Sequence, residues 1–212
     1  MPSLDCSPLP LPLQQSTFYR TAKSYTAENK QERWVIMPHI CPPELTPADI
    51  YVIENTDREI LKQSIAFLQT YHEVMWLDND TGTLMPHSQM KGHRFYYQPQ
   101  PQYPPQLRQM GEMFFHMMWY SKEFRISTHG LFDLGFFIED TLAYQFLPSM
   151  FSASLIASII CDAFVRERYV DGLFGHGAED GTYLKMLLRL NDLIQYYDFL
   201  QHSQAQKGNT NA

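Results

Sequence analysis

Between residues 172 and 181 the chain sets four glycines, Gly172, Gly175, Gly177 and Gly181, between two stretches of apolar residues at helical spacing. Glycine visits backbone conformations closed to other residues and weakens any helix that contains it, so this segment must turn the chain, with a single helical turn at most inside it. Before it, Leu155, Ile156, Ile159, Ile160, Ala163 and Phe164 form one apolar stripe, and Ser149 or Ser152 is placed to cap the helix start. That predicts a helix ending near Arg168. After it, Leu184, Leu187, Leu188, Ile194 and Tyr197 predict a last helix over residues 182–200. Two helices joined through so short a break argue for helix-on-helix packing.

The rest of the chain fits the same architecture. Thr56, Asp57, Arg58 and Glu59 have the spacing of a capping box, and Ile60, Leu61, Ile65, Leu68 and Tyr71 continue a helical stripe to about Glu73. Residues 74–77 read as a short extended piece entering a turn at residues 78–82, whose Asn, Asp and Gly tolerate left-handed backbone. Four prolines in residues 98–105 forbid a helix there, and Pro104 and Pro105 sit where one can begin. Leu107, Met110, Phe114, Met117 and Met118 predict that helix to about Lys122. Leu131, Leu134, Phe137, Ile138 and Leu142 predict another. The expected fold is all-α, or mainly α with a small two-stranded hairpin, in a compact bundle of about five helices without internal repeats. A Pro-rich arm over residues 1–50 precedes a single helical domain over residues 51–202, and residues 203–212 are expected to be a disordered tail.

Composition narrows the function. The sequence has 44% apolar and 18% charged residues, ample for a buried core. Sixteen basic against 23 acidic residues give a formal net charge of −7, the wrong sign for following a phosphate backbone, so no nucleic-acid partner is expected. Cys6, Cys41 and Cys161 are odd in number and far apart, which fits neither a disulfide framework nor a CxxC zinc site and implies a reducing compartment. The first residues lack a basic stretch before their apolar run, and residues 154–165 are too short to span a bilayer, so the protein is expected to be cytoplasmic and away from membranes. The Pro-Leu-Pro-Leu-Pro run at residues 8–12 reads as tail, or as a polyproline II ligand.

Residues 163–172, Ala-Phe-Val-Arg-Glu-Arg-Tyr-Val-Asp-Gly, followed by Glu179-Asp180-Gly181 and the Leu-rich residues 187–190, resemble an uncharacterised bacterial conserved-domain family, a domain of unknown function. Its members carry a Val-Arg-x-Glu-Arg-Phe-x-Asp-Gly pattern after a helix, then an acidic-Gly turn and a Leu-rich last helix. The resemblance covers about residues 152–194. Here Arg166 and Glu167 are adjacent and Tyr169 stands where Phe is usual. It implies a helical fold and a shared structural elbow at Arg168, Asp171, Gly172 and Gly181, and nothing about chemistry.

Two functions are expected in competition. The Met/aromatic helix surface, with Met113, Met117 and Trp119, suits a non-enzymatic protein-interaction or regulatory module that binds a protein partner or itself, the acidic exterior steering a basic partner. The alternative is an enzyme that binds an anionic substrate through Arg168 at the elbow, beside Asp171, with His176 or Glu179 moving a proton. A third reading is a structural subunit whose arm docks into a neighbour. His176, Glu179 and Asp180 stand together in the glycine segment, but the spacing matches no ligand motif. His87, His93 and His116 scatter without an HExxH pattern, so neither a metal nor a cofactor is expected. P-loop, Rossmann and nucleophile-elbow fingerprints are absent from the sequence.

Overall fold

A computed structural model describes residues 44–90, 94–134, 136 and 151–209, with side chains to Ser203. The described residues all belong to one compact unit. The Pro-rich run at residues 8–12 lies outside the described residues, as do Cys6, Cys41, His93, Phe137, Ile138, Leu142 and Ser149.

Among the described residues there are seven α-helices and a three-stranded antiparallel sheet, in place of the five helices and two-stranded hairpin expected. The first addition is α1, Pro47–Asn55, which begins in the segment assigned to the arm and continues into the helical domain. Its Pro47 belongs to the Pro-rich stretch, but at the first helical position a proline loses no hydrogen bond. Thr46 caps it: the hydroxyl accepts from Asp49 N–H, and the Asp49 carboxylate accepts from Thr46 N–H. The capping box therefore sits here. Thr56 closes α1 instead, donating its hydroxyl to the Val52 carbonyl, while Asp57 caps α2, Arg58–Leu68, through bonds from the N–H groups of Glu59 and Ile60. Helix α2 stops short of Glu73 at a Gln69 cap.

Three strands follow, β1 Met75–Asp78, β2 Thr83–Pro86 and β3 Gln100–Gln102. The order is β2-β1-β3, with Trp76 opposite both Met85 and Pro101. The turn between β1 and β2 is where it was expected: Asp78 accepts from Asp80 N–H and the Thr81 hydroxyl, and Gly82 takes a φ of 71°. Strand β3 escaped the sequence reading because it is three residues long and contains Pro101, which an outer strand tolerates.

The helical core comes next. Helix α3, Pro105–Trp119, starts at the expected proline pair. Ser127 caps the short α4, Thr128–Asp133, and Ser152 caps α5, Ala153–Arg166. Helix α6, Leu173–Glu179, lies within the glycine segment, and α7, Thr182–Asn209, runs through residues assigned to a disordered tail. Residues 201–207 contain no proline or glycine to stop it. Met110, Phe114 and Met118 of α3 share one buried cluster with Ile156, Ile159 and Ile160 of α5, Phe174 of α6 and Leu187, Leu190 and Ile194 of α7. At the N-terminal ends of α1 and α5, buried Asp49 accepts from the N–H and hydroxyl of Ser154, both at 2.9 Å. No described helix is long and apolar enough to cross a membrane.

Candidate functional site

The elbow between α5 and α6 is built around Glu167, half-buried just past the last turn of α5. Its carboxylate accepts from the N–H groups of Gly172 and Phe174, each at 2.7 Å, and from the Tyr103 hydroxyl at 2.5 Å. These donors include backbone groups at the start of α6 that no helical carbonyl can satisfy. Burial pushes the Glu167 carboxyl up, and the three hydrogen bonds offset only part of that rise. Burial and the adjacent Glu167 charge also push the Tyr103 phenol far up, so it stays a donor.

Gly172 has a φ of 86°, the left-handed conformation that side chains resist, and a Cβ on it would come within 2.6 Å of the Trp76 ring. The sheet thus lies directly on the elbow. Gly181, with φ 75°, makes the second break before α7.

The expected site residues separate. Arg168 and Asp171 are both exposed, and among the described residues they form no ion pair with each other. Asp171 accepts instead from the Gln98 side-chain amide at 2.6 Å. It lines a cleft of about 320 Å³ with Gln98, Gln100, Pro101, Tyr103 and Glu167, which includes neither Arg168 nor His176. The elbow was legible in the sequence, but its hub is Glu167 rather than Arg168.

His176 and Glu179, one helical turn apart on α6, instead meet His87, which begins the short 3-10 helix His87–Gln89 after β2. The two imidazoles stack with ring centroids 5.3 Å apart and planes 19° apart. His87 Nδ1 lies 3.2 Å from Glu179 Oε2, while Glu179 Oε1 accepts from Val74 N–H at 2.7 Å. One donor atom from each of the three residues falls within 4.8 Å of the others. Asp180 is not part of this group; it accepts from Thr182 N–H at the start of α7. The sequence reading placed His176 beside Glu179 but missed His87, because 92 residues separate His87 from Glu179 and only the sheet's docking on α6 joins them.

The α3 surface divides in a similar way. Met117 is buried and Met113 half-buried; one turn apart, they line a groove of about 650 Å³ against α1 and α2. Asp57, Glu59 and Glu112 also line it, and no lysine or arginine does. Trp119 lies elsewhere, stacked on Phe115 at 5.7 Å and covered by the Arg125 guanidinium at 4.5 Å. The reason is the helical repeat: at about 100° per residue, positions 113 and 117 share a face and 119 turns away from it.

The chain matches no protein-family model, no curated protein and no solved structure.

Proposed function

We propose that this chain is a non-enzymatic helical interaction module that binds a basic, partly apolar segment of another protein in the groove between α2 and α3. The observation that carries this reading is the lining of that groove, where Met113 and Met117 supply adaptable apolar surface and Asp57, Glu59 and Glu112 supply negative charge with no lysine or arginine beside them in the lining. A flexible thioether surface accommodates side chains of different shape, and the carboxylates favour lysine or arginine beside an apolar anchor. The formal charge of −7 on the whole chain steers the same class of partner. A cytoplasmic setting fits the buried, unpaired Cys161. The enzymatic reading of the elbow has less support, because the cleft that Asp171 lines includes neither Arg168 nor His176.

Peptide selection against the full chain tests the proposal. Selected sequences should combine basic residues with an apolar anchor, and their affinity should fall as salt rises. Glu112→Lys and Met113→Asp should each weaken binding by about tenfold or more, the cost of lost charge complementarity or of a desolvated anchor. Binders that lack basic residues, or that ignore both substitutions, would overturn it.

A further inference from the structure

The geometry points to a transition-metal site of the zinc class at His87, His176 and Glu179, with at least one coordination position left for water or a ligand. None of these three residues lines the α2–α3 groove. Metal bonds of about 2.0–2.1 Å place neighbouring ligands of a tetrahedral ion about 3.3 Å apart. His87 Nδ1 and Glu179 Oε2 already stand 3.2 Å apart, and one donor atom from each of the three residues lies within 4.8 Å of the others. The imidazole lone pairs lie in the ring planes, so binding requires one ring to turn out of the stack, which now holds the planes 19° apart, until both meet the ion.

The donor set selects the ion. Two imidazoles and one carboxylate suit zinc or its first-row neighbours, whereas magnesium and calcium prefer shells of oxygen. Three protein ligands leave the fourth position open, and exposure agrees: the His87 side chain is 40% exposed and that of Glu179 17%. The surroundings hold the ligands in place. Val74 N–H fixes one Glu179 oxygen and leaves the other facing His87, an arrangement that orients a metal-binding carboxylate. The Glu73 carboxylate, bonded to Ser88 N–H beside His87, adds negative charge.

Two further donors in this corner are buried without a hydrogen-bond partner, the Tyr71 hydroxyl and the Trp76 indole N–H. Trp76 lies against His87 with ring centroids 5.7 Å apart. Tyr71 is near enough to Glu179 and Glu73 that their charges add to burial in raising its phenol to about 12. Orphaned buried donors are uncommon in folded proteins.

An ordinary hydrogen-bonded His–Glu pair with a second imidazole stacked on it is the competing explanation, and metal titration separates the two. Metal-free full-length protein is titrated with Zn²⁺ by calorimetry and with Co²⁺ by visible absorption. The expected result is one equivalent bound, with a Co²⁺ d–d spectrum of low coordination number and a higher unfolding temperature in Zn²⁺. His87→Ala, His176→Asn and Glu179→Gln should each weaken binding by about tenfold or more, whereas His116→Ala on α3 should leave it unchanged. Far-ultraviolet circular dichroism checks that each variant folds, and the exposed His87→Ala suffices by itself if changes on α6 disturb the elbow. Failure of the wild type to bind Zn²⁺, or binding that survives His87→Ala at full affinity, would overturn the assignment.

Discussion

Buried Asp49 and half-buried Glu167 respond to pH in opposite directions. For Asp49, burial opposes ionisation, but hydrogen bonds from Ser154 and Thr46 outweigh it and hold the carboxyl below its ordinary value of 3.8. A carboxylate with a depressed folded pKa contributes stability above the unfolded value and loses it as pH falls through the folded one. Asp49→Asn should therefore cost about 1–3 kcal/mol at neutral pH, and the gap from wild type should shrink as pH drops below 3.8, as measured by urea unfolding across an acid series. Glu167 is the reverse case, since burial raises its carboxyl above 4.5. Stability linked to this group is greatest below that value and falls as pH rises through the folded pKa. Glu167→Gln should gain on the wild type over that window. Glu167→Ala should cost about 2–4 kcal/mol by stranding the N–H groups of Gly172 and Phe174 and the Tyr103 hydroxyl.

At the scale of elements, the elbow depends on a glycine for two reasons that can be measured apart. Gly82 and Gly172 both have positive φ, but a Cβ at Gly82 meets nothing within 4 Å while one at Gly172 meets Trp76 at 2.6 Å. Gly82→Ala should cost about 1–2 kcal/mol, the penalty for left-handed backbone. Gly172→Ala should cost clearly more, because Trp76 and with it β1 must also move; paired denaturation curves give the difference. This contrast shows what the sequence could and could not tell. Helices α3, α5 and α7 were legible because their apolar residues repeat at helical spacing, as was the turn before Gly82, where residue type dictates conformation. Helix α1 and strand β3 were not, because each contains one proline whose meaning depends on its position within the element. The elbow was visible in the glycines, but the partners of Glu167 and the approach of His87 to His176 arise only when sheet and helices pack.

Among the described residues, the acidic groove against α2 and the histidine corner where the sheet meets α6 have no lining residue in common. Binding at the groove should be indifferent to His87→Ala, and Zn²⁺ uptake indifferent to Glu112→Lys; titrating each variant with the other site's probe checks this independence. Either cross-effect would mean that the helical core couples the two. The sheet itself has a further consequence for behaviour at high concentration. Both outer strands are short and each carries a proline, Pro86 in β2 and Pro101 in β3, so neither offers an unbroken row of amide donors to a second molecule. Aggregation through strand addition is thereby discouraged at both margins, and the helical surfaces are left as the favoured route to self-association.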